Sequence, residues 1–324
     1  MGDTKIEWTR ADDGTLGATW NPVTGCSRVS PGCEHCYAEA LSLRQGWSKF
    51  PWTANHAKEN VVLHPKRLNQ PLSWRQPKRV FVNSMSDLFH ELVPDEFLDQ
   101  VFAVMALASK HTFLLLTKRP ERMQAYMATP NRGAMVGLQV MEIWLESKRR
   151  GAINPAGEAL YWPPDNVWLG VSVEDQRRAD ERIPLLLQTP AATRFLSCEP
   201  LLGHIEFLGS AFGCPECGDQ SGVEGEQCLA CGDGEYMRWP GIDWVIVGGE
   251  SGPAARPMDL EWARSLVQQC QAADVPVFMK QLGARPRWDR DETTIYLRDR
   301  KGGDPSEWPS DLRVRQFPSP VAVL

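Results

Sequence analysis

The chain has no apolar run near the ~20 residues that a membrane helix needs. Its opening residues, MGDTKIEWTR, lack the apolar core of a signal peptide, so a cytoplasmic protein without a membrane partner is expected. A basic excess is missing too. A net charge of −6 and a pI of about 5.6 argue against a protein that coats nucleic acid over its whole surface, although they leave room for a local basic groove. What is present is ordinary for a globular protein, with 42% hydrophobic and 23% charged residues. The 324 residues suffice for one large domain with additions, or for two.

The nine cysteines are not spread in the manner of a small disulfide-bonded secreted chain. Seven fall into two tight clusters, and Cys198 and Cys270 stand alone. Clustered thiols of this kind read as metal ligands.

Short apolar runs recur at residues 18–23, 80–82, 113–116, 167–171, 194–196, 244–247 and 275–279. Between them lie helix candidates at 95–110, 120–127, 175–187 and 259–273, with Asp95 and Asp259 as N-caps. Continuous apolar strands alternating with helices predict an α/β fold with a parallel sheet buried on both faces. Seven such repeats fit a full or partial (β/α) barrel. Its first part spans 1–209 with an insertion at 131–166, its last part spans 240–284, and 285–324 extends beyond it.

Polar groups follow nearly every strand. They include Asn83 to Asp87, Thr117-Lys118-Arg119, Ser172-Val173-Glu174-Asp175, Ser197-Cys198-Glu199, Gly248-Gly249-Glu250-Ser251 and Lys280-Gln281. Any one could simply cap a turn. Six together predict a polar pocket at the face where barrel strands end, with Lys118, Glu199, Cys198 and Lys280 as candidate catalytic groups.

The first cysteine cluster follows the first strand with the spacing Cys26-x6-Cys33-x2-Cys36. Three thiolates with no fourth nearby suit a [4Fe–4S] cluster with one iron open to a ligand. Zinc completed by His56, His64 or His90, or by water, is a second reading. A redox dithiol at Cys33 and Cys36 is a third.

The loop resembles that of radical SAM enzymes. Together, TWNPVTGCSRVSPGCEHCYA, FVNSMSDLFH, LLLTKRPERM, FLSCEPLLG and WVIVGGESGPAARPM resemble a three-Cys-motif family of phages and bacteria, over roughly residues 18–285. The resemblance implies a [4Fe–4S] cluster on Cys26, Cys33 and Cys36 that binds S-adenosylmethionine and yields a 5′-deoxyadenosyl radical. It implies that Glu250, with Gly248 and Gly249, meets the cofactor's amino group and that Ser172 or Glu174 meets its ribose. It also implies an electron donor such as flavodoxin or ferredoxin. Two features depart from the common radical SAM pattern. Six residues, not three, separate the first two cysteines, and the Gly-Gly-Glu element follows the sixth strand, not the second.

The second cluster, Cys214-x2-Cys217 and Cys228-x2-Cys231, has the two-knuckle spacing of a closed structural zinc site. Its central segment, 213–236, has almost no apolar residues, so metal binding would supply its folding energy. It reads as a zinc ribbon inserted into the barrel at 210–239.

Smaller signals remain. The 131–166 insertion holds a helix candidate at 140–150. Trp47, Trp52, Trp74, Trp144, Trp162, Trp239 and Trp308 sit in irregular segments, where stacking on a nucleic-acid base competes with packing. Cys198 and Cys270 read as small buried hydrophobes. A short hairpin is expected around 293–298. The reading from a different class is a non-catalytic module that binds nucleic acid or protein and uses both metals structurally.

Overall fold

Each of the seven apolar runs overlaps a strand: β1 Ala18–Trp20, β2 Arg79–Val82, β3 Thr112–Thr117, β4 Val167–Ser172, β5 Thr193–Cys198, β6 Trp244–Gly248 and β7 Val277–Gln281. The computed structural model describes residues 2–11, 14–147, 161–207, 212–213, 237–238, 241–288 and 295–318. Two run boundaries shift at prolines, which cannot donate to a ladder. Past Pro22 the chain leaves the sheet, and Val23–Thr24 pairs antiparallel with Val62–Leu63. The seventh strand begins only after Pro276, at Val277.

The strands form one seven-stranded sheet in chain order, β1-β2-β3-β4-β5-β6-β7. The pairings of β1 with β2, β2 with β3, β5 with β6 and β6 with β7 are parallel. Consecutive order is the winding of a (β/α) barrel and lacks the reversal point of a doubly wound sheet. Among the described residues the order ends at β1 and β7, so this is the partial form. Both end strands take an antiparallel bridge on the outer side, Asp3 to Ala18 and Arg315 to Phe278. Such pairing blunts edges that would otherwise template association.

The chain divides into two compact units, Met1–Gly170 with Gln188–Thr193, and Val171–Leu187 with Arg194–Leu324. In the first, helices α1 Tyr37–Arg44, α2 Asp95–Leu107, α3 Pro120–Met127 and α4 Arg132–Ser147 accompany β1 to β3. Helix α2 buries Leu98, Val101, Phe102 and Met105 completely, each worth ~1.5–3 kcal/mol relative to exposure. Pro94, not Asp95, is its N-cap, because Asp95 is engaged elsewhere, by Arg122 and by Arg132 Nη2 at 2.8 Å. Arg132 also meets buried Asp99 at 3.0 Å, and Tyr126 donates to the same carboxylate at 2.8 Å. This network ties α2, α3 and α4 together. Helix α4 starts eight residues earlier than residue 140, since Val136 and Val140 bury one of its faces. Residues 148–150, the end of that candidate, lie outside the described residues.

In the second unit, α5 Gln176–Leu187 and α6 Leu260–Ala272 accompany β5 to β7. Asp259 caps α6 as expected, accepting from the Glu261 N–H at 2.9 Å. The expected hairpin is absent over 295–298, where the Ile295 N–H instead donates to Pro286 O at 2.9 Å, while 293–294 lie outside the described residues. Phe212–Gly213 and Met237–Arg238 pair antiparallel, so the chain departs and returns at adjacent points. Cys214, Cys217, Cys228 and Cys231 lie between them, outside the described residues.

A buried histidine couples the first unit to pH. His111 accepts the Lys78 N–H at Nδ1, and its Nε2 faces the Pro71 carbonyl at 3.2 Å, which assigns the proton to Nε2. Burial above all holds its pKa below the ordinary imidazole value, and the Lys110 and Lys78 charges add to this against the Pro71 carbonyl. The unfolded chain therefore binds the extra proton first, and stability falls as pH drops below ~6.5 while staying level above it. His64 is shifted the same way. The expected outcome is a urea midpoint lower at about pH 5.5 than at about pH 7.5, with a shallower dependence in His111→Gln. An unchanged slope in the variant would count against His111.

Candidate functional site

The cysteine loop is built on the ends of β1, β2 and β3. Asn83, just past β2, adopts a positive φ of 58°, which Asn tolerates better than most residues. The turn it makes lets Met85 O accept the Gly25 N–H at 2.9 Å, while Asn21 Oδ1 accepts the Met85 N–H at 2.9 Å. Gly25 itself has φ 81°, and a Cβ there would run into the Asn60 carbonyl. Only glycine passes this point.

Cys26 follows directly. The wide gap before Cys33 is used as anchorage. Ser27 Oγ and carbonyl O each accept from Arg119 Nη2 at 3.0 Å. Arg28 forms a bidentate pair with buried Glu39 of α1, at 2.9 and 2.8 Å. Glu39 also accepts the Trp52 N–H at 2.9 Å, and Trp52 O accepts the Arg28 N–H at 3.0 Å. A 3-10 turn over Pro31–Cys33 delivers the second cysteine. Cys36 is the N-cap residue of α1.

Charge surrounds these thiols. Burial pushes the Cys26 thiol up to about 12, with Arg119 opposing and Asp87 and Cys33 adding to the rise. Burial likewise raises Cys36, against the backbone N–H groups of Glu39 and Ala38 and the Lys118 ammonium. Arg119 Nη1 lies 3.5 Å from Cys26 Sγ. It also donates to Asp87 Oδ2 at 3.2 Å. Asp87 is saturated, since it accepts further from Thr117 Oγ1 at 2.7 Å and from the N–H groups of Phe89 and Lys118 at 3.0 Å.

Three thiols on one loop, with Arg119 in contact with Cys26 and the Lys118 charge acting on Cys36, are a donor set suited to an anionic metal cluster. Among the described residues, however, no three His, Cys, Asp or Glu side chains are already gathered as a metal-binding group. Of the three candidate histidines, His90 meets the loop, with Nε2 2.9 Å from Ser27 Oγ. His64 Nε2 meets Thr24 Oγ1 at 2.8 Å, and His56 stacks on Phe50.

The remaining candidates belong to the second unit. Lys280 pairs with Glu199 at 2.9 Å. A Cβ on Gly248 would come within 2.7 Å of Glu199 Oε1, and one on Gly249 would run into the Leu282 carbonyl. The two glycines therefore admit a carboxylate and a neighbouring backbone, and no helix follows them directly. Glu250 accepts three hydrogen bonds from Arg256, from its backbone N–H at 2.8 Å, Nε at 3.0 Å and Nη2 at 2.6 Å. Ser172 O and the fully buried Glu174 both accept from Arg182, at 2.8 and 3.1 Å. Cys198 is fully buried and its thiol is held well above the ordinary range by that burial, as for a packing residue.

A protein-family model described as a protein of unknown function (DUF5131) matches residues 3–304. The chain belongs to that family. No curated protein and no solved structure matches it.

Sequence reasoning assigns no role to Arg119, Asp87, Ser27 or Arg256, and offers His90 only as a zinc ligand, not as the partner of Ser27. The first two stood in the strand-end segments already singled out, and a buried-charge requirement would have distinguished them. Among the tryptophans, Trp47 is 66% exposed, Trp74, Trp144 and Trp162 are half-buried, and Trp52 and Trp308 are buried, as packing residues are. Trp239 lies outside the described residues.

Gly25→Ala tests the loop without touching a thiol. It should cost at least about 1 kcal/mol of stability in urea unfolding, from positive φ and the collision with Asn60. A wild-type midpoint would contradict this account of the loop.

Proposed function

We propose that Cys26, Cys33 and Cys36 hold a [4Fe–4S] cluster with one open iron, and that the protein is a radical SAM-like enzyme. The observation behind the reading is the loop itself: three thiols in one electrostatic neighbourhood, with Arg119 on Cys26 and the Lys118 charge acting on Cys36. When bound, such a group supplies one-electron reduction of S-adenosylmethionine. The chain's own part is to bind, orient and shield. The Arg28–Glu39 pair holds the first half of the loop against α1, and Asp87 holds Arg119 at the thiol. In the second unit Glu250, Glu199 and Lys280 are the polar groups proposed to orient cofactor and substrate, with Ser172 and Glu174, at the end of β4, proposed to meet the cofactor's ribose. Cys214, Cys217, Cys228 and Cys231 are proposed as a structural zinc site. A cytoplasmic location and a flavodoxin- or ferredoxin-like electron donor fit reduced thiols and one-electron chemistry. A nucleic acid or nucleotide is the proposed substrate class.

The test is anaerobic reconstitution, with metal analysis and EPR of the dithionite-reduced protein with and without S-adenosylmethionine. About four irons and about one zinc per chain are expected, with a cluster signal that changes on adding the cofactor. Cys26→Ala, Cys33→Ala and Cys36→Ala should each lose the iron and keep the zinc. A colourless protein with zinc at both sites would overturn the enzyme reading in favour of a binding module, and a cluster signal indifferent to the cofactor would remove the radical SAM element.

A further inference from the structure

The Arg119 guanidinium is held more completely than a structural ion pair requires. Arg119 is only 8% exposed and Asp87 only 6%. Its Nε meets Glu91 Oε2 at 3.2 Å, its Nη2 bonds Ser27 twice at 3.0 Å, and its Nη1 is shared between Asp87 at 3.2 Å and Cys26 Sγ at 3.5 Å. Its backbone N–H is fixed on Thr117 Oγ1 at 2.9 Å. Asp87 already accepts from Thr117 Oγ1, Phe89 N–H and Lys118 N–H, so the carboxylate has partners apart from the arginine. A neutral thiol is a weak acceptor, and a buried N–H directed at it gains little. The same N–H directed at an anionic sulfur is a charge-assisted bond, roughly twice as strong as a neutral one.

We infer that Arg119 is a positioning residue for the cluster, donating to the Cys26 sulfur and setting the cluster's reduction potential. The inference rests on the reading that Cys26 is a cluster ligand. Reduction adds negative charge to the iron–sulfur unit. A fixed cation and N–H donor at a ligand sulfur favour that reduced state, so they raise the potential. Asp87 and Glu91 offset the charge, yet they hold the fork in place, so the directed N–H is the larger contribution. The geometry, more than the bare charge, is what a lysine could not reproduce.

The experiment is an EPR-monitored redox titration of the anaerobically reconstituted full chain, with iron content and thermal unfolding measured on the same samples. Arg119→Met should lower the equilibrium constant for cluster reduction about tenfold, which is ~59 mV for a one-electron couple. Arg119→Lys and Ser27→Ala should shift it in the same direction by less. Iron-loaded variants that all keep the wild-type potential would overturn the inference while leaving the cluster reading intact. If Arg119→Met fails to fold or to load, the other two variants decide by the same criterion. A wild-type chain that loads no iron overturns the cluster reading, and this inference with it.

Discussion

The buried pair between Asp87 and Arg119 is the interaction on which the cysteine loop depends. Taking both charges out of water is costly, and their attraction offsets this only when the remaining donors and acceptors are satisfied. Here they are. Asp87 comes from the segment after β2, Thr117 and Arg119 from the end of β3, and Ser27 from the loop after β1. One ion pair thereby joins three successive strand ends and sets the start of the loop. Removing either member would strand a buried charge, so the arrangement is held as a whole.

The same economy recurs. Arg132 with Asp99 and Asp95 closes the helices of the first unit, and Arg182 with Glu174 sits wholly inside the second. Gly248 leaves the space that the Glu199 carboxylate fills, and Glu199 in turn meets Lys280. Strand ends in each unit thus present charges in defined pairs. Such pairs stay polar and oriented without reorganisation.

Much of this architecture was legible beforehand. Seven apolar runs announced seven strands because a strand covered on both faces is buried throughout, as β4 and β6 are, and so is mostly apolar. Asp259 announced its helix because a side-chain acceptor before an amphipathic run has a local partner two residues on. Asp95 carried the same signal, yet arginines on two other helices engaged it, a competition no local pattern contains. The proline shifts at Pro22 and Pro276 were readable in principle, since a missing N–H is a local fact.

The sequence by itself determined the order of strands and helices, the clustering of three cysteines on the first loop, and the placing of polar residues after nearly every strand. These follow from periodicity, backbone chemistry and spacing, all of which act over a few residues. Only the tertiary structure decided which charges meet. Arg119 reaches Cys26 across 93 positions of chain and Ser27 across 92, and neither distance leaves a trace in local composition. Burial is the physical reason. It makes an unpaired charge costly, and so selects partners that only the folded chain brings within reach.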